Sequence, residues 1–300
     1  ASNGDFSGNI TLTSSGAVTQ NVAVSGTVSN CATASLVATA DTFMNSGSTK
    51  GNYNFGASAT LELNPYYSAG TNDQQRSILL KWDLSSIPSD ATISAASLSF
   101  YVTLTENAYA YSLYNMRARA WLEGSNRGST GSGASWNYFD AGSSSWGTAG
   151  AANTTSDRYD TNLWSAVASD FNTAGNKTFT LNASGVSVLQ EWLNTPSSNY
   201  GLTIQNYSGT ATGSWSAASR ENEFGFTKPT LNVTYCLSTA PTIKTTGTLT
   251  AFTAPVGQNS TEQSYTVSGT NLTDPIVITA PTDFQISTTS GSGFGSTVTL

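Results

Sequence analysis

Ala96-Ser97-Leu98-Ser99-Phe100-Tyr101-Val102-Thr103-Leu104 places an apolar side chain at every second position, at Leu98, Phe100, Val102 and Leu104. Successive side chains of an extended chain point to opposite faces, so this run reads as a strand with one face in a core. The same period recurs outward from it, at Leu61/Leu63 and Ile78/Leu80/Trp82 before it, and at Phe179/Leu181, Leu202/Ile204 and Leu231/Val233/Tyr235 after it. Turn-forming residues separate the runs. This pattern predicts an all-β fold, an antiparallel β-sandwich or jelly roll. One segment departs from it: Val186/Leu189/Leu193 and Val188/Trp192 have helical spacing, with Ser184 as N-cap and Pro196 as stop, which predicts one short helix.

The composition suits such a fold. Of the 300 residues 38% are hydrophobic, enough for a real core, and only 10% are charged. A net charge of -7 and a pI near 4.4 argue against nucleic acid and anionic membrane surfaces, both of which reward a basic patch. No run approaches eighteen consecutive apolar residues, so no membrane insertion is expected. Ten of the eleven Lys and Arg residues lie between the two cysteines, Cys31 and Cys236. These cysteines either form one disulfide tying the first and last strands of that region, as suits a secreted protein, or are two buried free thiols. The bond would close a loop of about 205 residues, for which chain entropy gives roughly 5 kcal/mol as an upper figure.

Three segments follow from this. Residues 1–30 carry Ile10/Leu12 and Val22/Val24 around Ser14-Ser15-Gly16, a hairpin pattern. A lone hairpin is marginal in water, so these four residues are candidates for pairing with strands of a neighbouring copy. Residues 31–236 form the sandwich. Residues 237–300 open with Thr239-Ala240-Pro241-Thr242, a linker, and continue with strand-like Tyr265/Val267, Ile276/Ile278, Phe284/Ile286 and Val298/Leu300.

The chemistry is sparse. The chain has no histidine, which excludes Ser/His/Asp triads, Cys/His dyads and His-ligated zinc. No spacing among its carboxylates marks an acid and base pair, so no enzyme is expected. Asp41, Asn45 and Asn52, with backbone carbonyls, either hold a calcium ion or are turn-forming Asx residues; no other cofactor is expected. Flat rings beside hydrogen-bonding groups suit sugars, and the candidate glycan-binding residues are Tyr66, Tyr67, Tyr109, Tyr111, Tyr114, Trp136, Tyr138 and Trp146. Residues 124–160, rich in Gly, Ser and Asn yet carrying Trp136, Tyr138, Phe139, Trp146 and Tyr159, are either a binding loop or a flap pinned by its rings. Trp82, Trp121 and Trp192 read as packing, and Arg76 as an ion-pair partner.

Ala38-Thr39-Ala40-Asp41-Thr42-Phe43, Asn52-Tyr53-Asn54-Phe55-Gly56 and Arg76-Ser77-Ile78-Leu79-Leu80-Lys81-Trp82-Asp83-Leu84 carry a further signal. With Ile87-Pro88, Trp121-Leu122-Glu123-Gly124 and Asn199-Tyr200-Gly201-Leu202 they resemble the DNRLRE domain family across nearly all of residues 35–236. The resemblance implies a β-sandwich of large secreted proteins, some members being treated as carbohydrate-binding modules. The stretch from Pro241 to Leu300 looks like the opening strands of a bacterial immunoglobulin-like surface repeat, and residues 4–28 like its closing strands. A partial immunoglobulin-like β-sandwich, split across the chain ends, is therefore expected beside the main one. Unpaired sheet edges that exchange strands head to tail build filaments. The preferred reading is a non-enzymatic subunit of an extracellular fibre or cell-surface array, partnered by other copies of itself or by adjacent repeats. The alternative is a carbohydrate-binding accessory module with polysaccharide as partner.

Overall fold

In the computed structural model the chain divides into two units, residues 1–237 and 238–300. The structure describes residues 4–13, 15–16, 18–28, 30–64, 75–106, 110–140, 142, 144–207, 213–237 and 241–300. At the N-terminus, β1 (Gly4–Leu12) and β2 (Gln20–Val28) pair antiparallel with Ile10 opposite Val22. Ile10, Leu12, Val22 and Val24 are each about half exposed, and among the described residues no third strand joins the pair.

The sandwich is built from β3 (Cys31–Val37), β4 (Ala40–Asn45), β5 (Tyr53–Asn54), β6 (Thr60–Leu63), β7 (Arg76–Lys81), β8 (Thr92–Glu106) and β9 (Ser112–Asn115). It continues through β10 (Ser129–Thr130), β11 (Tyr138–Asp140), β12 (Ser144–Ser145), β13 (Gly175–Thr180), the helix α1 (Ala183–Asn194), β14 (Leu202–Gln205), β15 (Ser214–Ala218) and β16 (Thr230–Cys236). One antiparallel sheet has the order β3-β16-β8-β15-β6, and the second the order β4-β7-β14-β9. The long β8, which contains the alternating run, is the spine of the first sheet. Its residues Ser97 to Ser99 pair with both β13 and β16, so those two strands lie on opposite edges of it. Val102 pairs with both β13 and β15, so β15 follows β16 along the same edge.

The alternation decides which side chains meet. Leu98, Phe100, Val102, Leu231 and Val233 of the first sheet and Phe43, Ile78, Leu80, Leu202 and Ile204 of the second share one core. Each such side chain contributes about 1.5–3 kcal/mol by leaving water. Aromatic rings fill the end of this core: Trp164 stacks on Phe179 at 4.9 Å, and Phe100 meets Trp215 edge-on at 5.7 Å. The predicted helix is present but starts earlier than Ser184. Asn182 is the N-cap, its side chain accepting from the Gly185 N–H. Both residues are good caps; Asn182 wins because its amide also donates to the carbonyls of Asn162 and Trp164. Gln190 then holds the helix to β8, accepting from the Ile93 N–H and donating to the Ala91 carbonyl.

Cys31 and Cys236 form a disulfide. They stand opposite each other in the register of β3 and β16, so the bond closes the first sheet at its edge. Arg76 pairs with Glu62 at 2.6 Å.

The second unit contains β17 (Thr242–Thr246), β18 (Thr266–Thr270), β19 (Val277–Thr279) and β20 (Thr297–Thr299), arranged as two antiparallel pairs. The expected strand at Phe284/Ile286 does not form. Asp283 adopts a positive φ of 68°, which breaks the extended run, and Ile286 makes only an isolated bridge to Gly295. No helix among the described residues is long and apolar enough to cross a membrane.

Candidate functional site

The second sheet is covered on both faces. β4, β7 and β14 bury nearly every residue, whereas β13 and β16 of the first sheet alternate. The outer cover is the segment after β9. Trp121, Trp136, Trp146, Met116 and Ala134 pack with Met44 of β4 and Leu79 of β7 into a second apolar cluster. Indole N–H groups brace the cover: Trp121 ties it to the Tyr200 carbonyl at 2.8 Å, and Trp146 donates within it to the Ser135 carbonyl at 2.9 Å. At Gly150, whose φ is 76°, a Cβ would come within 2.6 Å of the Trp136 ring. Within residues 124–160, Trp136 and Trp146 are thus buried as rings that pin a flap.

Asp157 organises the turn at the flap's end. Fully buried, its carboxylate accepts from the backbone N–H groups of Gly147, Thr148 and Asn153, the Ser156 hydroxyl and Arg119 Nε. Arg117 is anchored to the same turn, its Nε donating to the carbonyls of Thr154 at 2.8 Å and Arg158 at 3.1 Å. The Arg117 guanidinium lies 4.0 Å from the centre of the Tyr159 ring, and that of Arg119 lies 5.2 Å from Phe139. Tyr159 is 43% exposed, and Arg117, Arg119 and Phe139 are half-buried. Each arginine thus uses Nε inward, and its terminal nitrogens make no hydrogen bond among the described residues. Two planar donor forks, anchored through Nε to one turn, thus lie beside two rings. The buried Arg158 contacts both Tyr114 and Tyr207, its guanidinium 4.3 and 4.0 Å from their ring centres. Burial pushes the Tyr207 phenol up to about 12.

A second polar group sits at the edge strand β4. Asp41 accepts from the Arg220 N–H through Oδ2 at 2.8 Å, and its own N–H donates to Glu123 Oε1 at 2.7 Å. The Arg220 guanidinium grips Glu123 with two 2.6 Å bonds and reaches Glu221 at 2.9 Å. Burial, then the charges of Glu221 and Glu123, push the Asp41 carboxyl up to about 8, and burial also raises Glu221.

The residues singled out in the sequence are placed as follows. Tyr111, Trp136 and Trp146 are buried, with Tyr111 packed against Phe171, so their faces are not open to a sugar. Large rings drive burial most strongly, and the flap supplied a second core for them. The Tyr114 ring is half-buried and taken by Arg158, and Tyr138 is half-buried in β11. Tyr66, Tyr67 and Tyr109 lie outside the described residues. Asp41, Asn45 and Asn52 do not converge: Asn45, four residues along the strand or about 13 Å away, accepts from the Gly47 N–H, and Asn52 accepts from the Asn137 amide. Asp41 is joined by Glu123 and Glu221 instead. Those two residues and the Arg117/Arg119 pair escaped the sequence reading. The available signal was local: four of the six arginines fall within residues 117–158.

No curated protein matches the chain. A family model described as "Carbohydrate-binding module family 96" matches residues 32–187, more than half of the chain. The matched span runs from β3 into α1, and β14, β15 and β16 complete the same two sheets beyond it. Families of this kind bind sugars without cleaving them. On this match, over a disulfide-closed antiparallel sandwich, the chain belongs to carbohydrate-binding module family 96.

Proposed function

We propose that this chain is a non-catalytic polysaccharide-binding module of a secreted protein, and that Arg117, Arg119, Tyr159 and Phe139 form its binding surface. The family match supports the sugar-binding reading over the fibre subunit, for which no comparable support exists. The observation that carries the location is the pair of guanidiniums anchored through Nε to one turn beside the half-exposed Tyr159. Sugar hydroxyl and carboxylate oxygens both accept from such forks, and a tyrosine face stacks on a pyranose ring. Anchoring matters because a side chain already held in place loses less entropy on binding. The disulfide is consistent with an oxidising, extracellular setting.

The test is affinity electrophoresis and calorimetry against a panel of neutral and uronic-acid polysaccharides. The double variant Arg117→Ala/Arg119→Ala should lose at least tenfold in affinity, about 1.4 kcal/mol, with an unchanged far-UV spectrum. Full affinity in that folded variant would move the site elsewhere on the sandwich.

A further inference from the structure

We propose that Asp41, Glu123 and Glu221 form a divalent-cation site that takes calcium. Three observations meet here. Carboxylate oxygens of these residues lie within 4.8 Å of one another, on three separate stretches of chain. A calcium ion with oxygen ligands at about 2.3–2.6 Å spans such a group, whereas the shorter magnesium bonds of about 2.0–2.1 Å call for a tighter one. Asp41 is 1% exposed, yet its Oδ1 is buried with no hydrogen-bond donor, and so is Oε2 of Glu221. These two oxygens belong to carboxylates of the same close group.

The charge count points the same way. Arg220 satisfies Glu123 through two hydrogen bonds and touches Glu221, and once Asp41 and Glu221 are ionised, as ligation of a cation requires, the three carboxylates exceed this one guanidinium by two negative charges. A buried carboxylate without a counter-charge is costly, and no other cation reaches the group among the described residues. One divalent ion cancels the excess and supplies the partner that Asp41 Oδ1 and Glu221 Oε2 lack. The ion would join the edge strand β4, the start of the flap at Glu123 and the loop after β15 at Glu221. Its role is thus to clamp the flap to the sheet. This site shares no residue with the arginine surface.

The experiment uses the whole chain, stripped with chelator, at pH 8. Calcium chloride should raise the melting temperature by several degrees, and terbium should bind with luminescence that calcium displaces. Magnesium should give a smaller shift than calcium at equal concentration. Glu221→Gln, which leaves the Arg220–Glu123 pair in place, should weaken calcium at least tenfold, and Asp41→Asn should do the same if it folds. A wild-type melting temperature indifferent to calcium, or a calcium response undiminished in Glu221→Gln, would overturn the proposal. In the first case the carboxylates of Asp41 and Glu221 are held by a shared proton instead.

Discussion

The two sheets of the sandwich are stabilised in different ways. The six-stranded sheet keeps one face in the core and one half-exposed, and its edge strand β3 is tied to β16 by the Cys31–Cys236 disulfide. The four-stranded sheet has no covalent tie; its outer face is sealed by tryptophans of the flap. The first sheet could be formed from its own strands and one bond. The second needs the flap, a mostly irregular stretch with only the short strands β10, β11 and β12, to be folded correctly above it, and both polar groups described here involve residues of that stretch or its flanks. A surface that must hold guanidiniums still is easier to build on a packed flap than on a free loop, because the core beneath removes the alternative rotamers.

This contrast can be broken from either side. Replacing both cysteines, Cys31→Ala/Cys236→Ala, releases a long loop into the unfolded ensemble and should cost up to about 5 kcal/mol on the chain-entropy account. Chemical denaturation should show this loss while folded protein retains full sugar affinity, since the bond lies on the first sheet. A loss of affinity at temperatures where the variant is folded would mean the two sheets are coupled.

Trp136→Ala should cost about 3–5 kcal/mol, the range for a large buried ring. Unlike the disulfide variant, it should weaken sugar binding in the folded state, because the turn that anchors Arg117 and Arg119 is seated on the same flap. Hydrogen exchange should rise selectively across residues 134–158. Uniform exchange with intact binding would show that the flap is not the support of the site.

The smallest effect is expected on the open face of the first sheet. Thr178 of β13 shares an exposed hydroxyl contact with Ser99 at 3.1 Å. Thr178→Ala should change stability by no more than about 0.5 kcal/mol, the usual range for surface substitutions. A loss near that of Trp136→Ala would mean that the outer face of the six-stranded sheet is also covered, and the asymmetry would vanish.

Much of the first sheet was legible in the residues themselves. Leu98, Phe100 and Val102 alternate because a strand has a period of two, and a sheet with a single buried face preserves that period, whereas Leu104, which continues the pattern in the sequence, is 47% exposed where the register with β15 shifts. The helix was legible for the same reason, its period being local, although choosing Asn182 over Ser184 as cap required the carbonyls of Asn162 and Trp164. The cysteine pairing was one of two readings, and the register of β3 against β16 decided it.

The candidate sites were not legible in this way. A tryptophan in a glycine-rich stretch reads equally well as a sugar platform or as a plug, and only the apolar outer face of β4 and β7 sends Trp136 and Trp146 inward. Arg117 and Arg119 gain meaning from Asp157, about forty residues on, and Asp41 from Glu123 and Glu221, far along the chain. By itself, then, the sequence determined the elements and their periods, because these depend on neighbours a few residues apart. The tertiary structure decided which rings stay in water and which charges meet, because burial and electrostatics depend on distances in space that no local pattern records.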